Sequence, residues 1–160
     1  MDKVQQRPRQ RLAVVMRRRE TQGRWPSVVW EAVGVLPGYE GDPDARLLVD
    51  DASGSQWLYA GFELVLHRDE AEGYYLNVST QDARVFVLWR MEEERAVPKY
   101  LTVSYNEAMR WMDGGEQVDS VAMSRDLYAW VGAYVEANYR PEPKKRIKPR
   151  SFMSPKDRSR

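Results

Sequence analysis

His67 is the only histidine of the chain, and it is followed by Arg68, Asp69, Glu70 and Glu72. An imidazole with carboxylates two and three positions on could seed a metal site or an acid–base pair. A structural metal site usually needs more nitrogen or sulfur ligands than one histidine can provide. The plainer expectation is an exposed strand end followed by an acidic turn. The sequence contains no cysteine, which removes disulfides, thiolate zinc, iron–sulfur ligation and a thiol nucleophile together. Carboxylates cluster at Asp50-Asp51 and Glu92-Glu93-Glu94, and a two-acid hydrolase would draw on such pairs. Both clusters lie in turn-like sequence, where charge runs are ordinarily solvated. Gly114-Gly115 has neither the GxxxxGK[ST] nor the GxGxxG surroundings of a phosphate loop and reads as a helix stop. There is no GxSxG elbow. The expectation is a protein that is not an enzyme and has no cofactor, with a small metal-dependent enzyme centred on His67 as an alternative.

The residue types that remain are suited to binding. Residues 1–24 hold eight Lys or Arg against two acidic residues, a balance of +6, and residues 141–160 repeat that balance. Residues 25–140 hold nine basic and twenty acidic residues, a balance of −11, so the net charge of +1 conceals an acidic body with two basic ends. The ends either fold back on the body or dock on an acidic partner. One candidate patch comprises Arg17, Arg18, Arg19, Arg24 and Trp25; the other comprises Lys144, Lys145, Arg146 and Lys148. The expected partner is a protein. A nucleic-acid or ribonucleoprotein role through the basic ends is the alternative, and it would show a steep salt dependence. With six Trp, nine Tyr and three Phe, aromatic stacking on bases is conceivable, but the aromatic stretches are acidic and core packing explains most of them.

The elements that must position these residues are mostly strands. Leu12–Met16, Val28–Leu36, Arg46–Val49, Gln56–Arg68, Tyr74–Ser79, Arg84–Met91 and Lys99–Val103 are short apolar or alternating runs separated by polar turns. Gly61 marks a possible bulge. This spacing predicts an α+β fold built on a curled antiparallel sheet of about six or seven strands, barrel-like or a sandwich, with no helix before residue 104. Two C-terminal helices follow. Ser104 and Glu107 form a capping box for a helix ending at Gly114-Gly115. Ser124 caps a second helix, Ser124–Arg140, in which Leu127, Trp130, Val131, Tyr134, Val135 and Asn138 form one stripe directed at the sheet. The domain reading is a flexible basic segment 1–10, a single domain 11–140, and a basic, disordered tail 141–160. No window has the apolar length of a signal peptide or a membrane span, so the expected location is the cytoplasm.

The runs VVMRRR (Val14–Arg19), WEAVGVLPG (Trp30–Gly38), AGFELVLHRDEAEGY (Ala60–Tyr74), SYNEA (Ser104–Ala108), DGGEQV (Asp113–Val118) and the Trp130–Val135 helix, with Lys144-Lys145-Arg146, resemble a proteobacterial family of domains of unknown function. The resemblance covers roughly residues 10–146. Members of that family are often encoded beside formate dehydrogenase and its accessory genes. The resemblance therefore implies an adaptor, accessory or assembly factor or subunit around a molybdoenzyme, with a formate dehydrogenase subunit or maturation factor as partner. It carries no catalytic residues.

Overall fold

A computed structural model of the chain describes residues 7–141. In order, its elements are β1 (Arg9–Glu20), β2 (Val28–Pro37), β3 (Arg46–Asp51), β4 (Gly54–Val65), a 3₁₀ turn (Arg68–Glu70), α1 (Ala71–Val78), β5 (Arg84–Glu92), β6 (Arg95–Thr102), α2 (Tyr105–Asp113), β7 (Gln117–Ala122) and α3 (Arg125–Asn138). The fold is α+β, as expected, and the described residues hold seven strands. They form two antiparallel sheets, β2-β1-β4-β3 and β6-β5-β7, and no closed barrel. The expected single curled sheet fails because the chain leaves it after Val65: the 3₁₀ turn and α1 intervene, and β5 starts a new sheet.

That detour is also a correction. Tyr74–Ser79 is not a strand but the greater part of α1, so a helix does precede residue 104. Tyr and Val favour strands and Gly73 disfavours a helix interior, which makes the segment read as extended. Tertiary packing overrides those preferences. Ala71, Gly73, Tyr74 and Asn77 are buried on the inner face of α1. A Cβ on Gly73 would lie 2.0 Å from the Ser104 hydroxyl oxygen, so only glycine lets α1 approach the start of α2 this closely.

β1 organises the larger sheet. Leu12, Val14 and Met16 enter the main core with Tyr59, Leu64, Val85, Val87 and Trp89, while Ala13 and Val15 pack with Leu58 and Ala60 on the opposite face beneath Tyr39. Burial on both faces explains the uninterrupted apolar run; each of the larger side chains contributes about 1.5–3 kcal/mol by leaving water. Opposite Ala13, β4 carries an additional residue: Leu12 pairs with Phe62 and Val14 with Tyr59. Gly61, at φ +91°, takes up this bulge, as its position suggested.

The two sheets are fastened at opposite margins. On one side the Asp119 carboxylate of β7 accepts from the Ala32 amide of β2 and the Trp89 indole of β5, both at 2.8 Å. On the other, the Arg95 guanidinium of β6 lies 4.2 Å over the Trp57 ring of β4. The β5–β6 hairpin turns on Glu93 and Glu94, at φ 49° and 64°, the left-handed geometry that a two-residue loop requires.

The helix signals hold locally. Ser104 accepts from the Glu107 amide (3.1 Å), and Ser124 accepts from the Leu127 amide (3.2 Å). The reciprocal half of the capping box is replaced, since the Ser104 amide donates to Thr102 Oγ1 at 3.0 Å. α2 stops at Gly114-Gly115, with Glu116 N donating to the Trp111 carbonyl in a Schellman closure. The stripe of α3 buries Leu127, Val131 and Val135. Its main neighbour is α1 rather than the sheet, with Tyr74 and Tyr134 edge-on at 5.9 Å.

Candidate functional site

Within the histidine neighbourhood, the most chemical-looking part of the sequence, Glu70 is committed to holding the fold. Glu70 turns inward: its carboxylate accepts from the Ser104 hydroxyl at 2.6 Å and from the Arg110 guanidinium, and its side chain is only 15% exposed. Asn77, 3% exposed, donates to the carbonyls of Arg84 (2.7 Å) and Val103 (2.8 Å) and accepts from the Arg84 amide (2.9 Å). The amide and carbonyl capacity of that buried side chain is thereby used, as a buried amide requires. The His67 amide donates to the Tyr74 hydroxyl at 3.0 Å, and burial pushes that hydroxyl well above its ordinary pKa, so it stays protonated. Among the described residues no three His, Cys, Asp or Glu side chains gather as a metal site would require. A groove of about 830 Å³ runs along α3 past Arg68, Asp69, Trp130 and Tyr134 and does not include His67 in its lining. Asp50 and Asp51 are the last residues of β3 and Glu92 the last of β5, so of the two expected turn clusters only Glu93 and Glu94 lie in a turn; all five residues are exposed as expected.

The first basic patch is positioned by β1 and the turn after it. Strand alternation puts Arg17 and Arg19 on one face and Arg18 on the other. The register sets Glu31 of β2 opposite Arg17. Glu31 Oε1 accepts from Arg17 Nε at 3.0 Å and from Arg19 Nε at 2.9 Å. These bonds, led by that from Arg17 and opposed by partial burial, hold the Glu31 carboxyl below the usual glutamate range. Arg18 reaches Glu20 at 3.8 Å. Arg9 pairs with Glu63 and Arg11 with Glu40, so the N-terminal basic segment, from Arg9 onward, is a strand resting on the acidic body.

Beyond Glu20 the pairing of charges stops. Thr21 and Ser27 close the turn: the Thr21 amide donates to the Ser27 carbonyl (2.8 Å) and the Ser27 amide to Thr21 Oγ1 (3.0 Å). Arg24 and Trp25 stand on the loop between them. Arg24 makes no ion pair among the described residues, and Trp25 is 84% exposed. The other large apolar side chains of this hairpin are more than half covered; Val28, the next most exposed with Leu36, stands at 44%. The structure thus gathers Arg17, Arg18 and Arg19 at the base of one hairpin, and Arg24 and Trp25 at its tip. Lys144, Lys145, Arg146 and Lys148 lie outside the described residues, as does nearly all of the expected tail.

A family profile described as a protein of unknown function, DUF3305, matches residues 11–148, most of the chain. The chain belongs to the DUF3305 family. No curated protein and no solved structure matches it. In this DUF3305 domain the matched stretch contains both the satisfied polar network around α1 and the hairpin that carries Trp25. No helix among the described residues is long and apolar enough to cross a membrane.

The role of Glu70 and Asn77 was missed by the sequence reading, which treated the first as part of a solvated acidic turn and the second as a strand residue. A signal was available: Ala71, Tyr74, Tyr75 and Val78 stand at i, i+3, i+4 and i+7.

Proposed function

We propose that this DUF3305 domain is a non-catalytic adaptor or accessory factor that grips an acidic protein partner through the tip of the β1–β2 hairpin. The observation that carries the reading is Trp25, 84% exposed on a stapled turn beside Arg24, which makes no ion pair among the described residues. Tryptophan and arginine are the side chains that most often dominate binding energy at protein interfaces. A tryptophan fixed in water gains by burial against a partner, and the turn bonds have already met much of the ordering cost. Arg17, Arg18 and Arg19 sit behind the tip with their charges partly offset, so they supply field rather than contact. The tail residues Lys144, Lys145, Arg146 and Lys148 provide a second attachment, which multiplies the first if both engage one partner.

The biological setting we propose is maturation or assembly of formate dehydrogenase or a related molybdoenzyme. It rests on the family resemblance of the sequence. Affinity purification from the native cell is the test. Wild-type chain should retain formate dehydrogenase subunits or their maturation factors, and Trp25→Ala should lose them by about tenfold or more. Equal recovery with Trp25→Ala, with Arg24→Glu and with the chain ended at Pro141 rejects the reading. Recovery of nucleic acid instead, with an affinity that falls steeply with salt, supports the ribonucleoprotein alternative.

A further inference from the structure

Strand β3 is the outer strand of the four-stranded sheet, and all six of its residues are exposed. Natural edges of this kind are blunted by short length, charge, Pro, a bulge or a covering element, and β3 has charges at its ends and one bulge, at Leu48. The central residues of β3 are instead Leu47 and Leu48, each 44% exposed, and Val49, 39% exposed. The other edge of the same sheet is closed off, because β2 runs beside β7 and its Ala32 amide is taken by Asp119. Within this sheet, one open edge and one closed edge permit pairing of two copies but not a repeat of the same contact along a fibre.

We propose that β3 pairs antiparallel with β3 of a second copy about a two-fold axis at Leu48. The order of side chains along the strand is self-complementary. With Leu48 against its counterpart, Leu47 meets Val49, and Arg46 meets Asp50, each twice. Neither Arg46 nor Asp50 takes part in an ion pair among the described residues. Parallel pairing in register would instead set Arg46 on Arg46 and Asp50 on Asp50. Leu48 is also the residue of β3 that the β4 register skips, since Leu47 pairs with Trp57 and Val49 with Gln56. The pairing joins two four-stranded sheets into one continuous sheet. The bulge shortens the ladder that the copies share, so association is weak and depends on concentration.

Sedimentation velocity on the full chain tests this, over about 10 μM to about 1 mM, where a small interface associates. The wild type should pass from monomer to dimer across that range. Leu48→Lys, an exposed change that leaves the circular dichroism unaltered, should raise the midpoint at least about tenfold. Arg46→Asp and Asp50→Arg alone should each weaken the dimer by about tenfold, since two pairs are lost together. The double variant re-forms both pairs with reversed polarity and should return to within about threefold of wild type. A chain that stays monomeric throughout overturns the proposal. So does a dimer indifferent to Leu48→Lys, or a double variant no better than the singles. An added extended peptide that binds β3 while the chain remains monomeric also overturns it.

Discussion

The α1–α2 junction and the β1–β2 hairpin tip treat polar and aromatic side chains in opposite ways. At the junction, Asn77 and Ser104 are buried, Glu70 is largely covered, and each has its partners within the chain. At the tip, Arg24 and Trp25 are exposed and the turn beneath them is tied by Thr21 and Ser27. Glu70, from the stretch that looked most like chemistry, is taken up by structure, whereas the pair that looked like an ordinary turn is left open to solvent. A buried, satisfied network has little energy to offer a ligand, whereas an exposed tryptophan on a fixed support has its burial energy still in hand.

The sharpest way to break the contrast is Asn77→Ala. It strands the Arg84 amide and two carbonyls in the interior and should cost about 3 kcal/mol in chemical denaturation, enough to threaten folding. Gly73→Ala comes next. Its methyl collides with Ser104, 2.0 Å from the hydroxyl oxygen and 3.0 Å from the Cβ, and the expected loss is about 2 kcal/mol with a lowered melting temperature. A smaller effect belongs to the base of the hairpin. The Glu31 carboxyl is lowered in the folded state, so its stabilisation is complete above the ordinary glutamate value of about 4.3 and is lost as pH falls through the lower folded value. Acid titration should show that loss, and Glu31→Gln should flatten it. Trp25→Ala completes the order with a stability change within about 0.5 kcal/mol, because it removes no core contact. A large destabilisation there would make Trp25 structural and erase the distinction between the two regions.

What could be read from sequence follows the same division between local and distant causes. The serine caps at 104 and 124, the stop at Gly114-Gly115 and the turn at Arg24-Trp25-Pro26 depend on residues a few positions apart and are found where expected, whereas the strand expected at Leu12–Met16 runs from Arg9 to Glu20 and takes in the end of the segment expected to be flexible. α1 was hidden because Gly73 and the flanking tyrosines mimic a turn and a strand. The reason for a helix there is supplied by Ser104 and Val103, about thirty positions away. The fastening of the two sheets depends on Asp119 reaching Ala32 across 87 positions, which no periodicity reveals. The pairing of Arg17 and Arg19 with Glu31 needed the hairpin register, so the first basic patch appeared freer in sequence than it is.

The bridge at Asp119 has one more consequence. Ala32 belongs to a margin strand, whose amides ordinarily trade hydrogen for deuterium early. Gripped by a carboxylate that also holds the Trp89 indole, this amide is released only when β7 parts from β2. Its uptake of deuterium should therefore be as slow as that of β5, and it serves as a built-in gauge of when the two layers of the protein come apart.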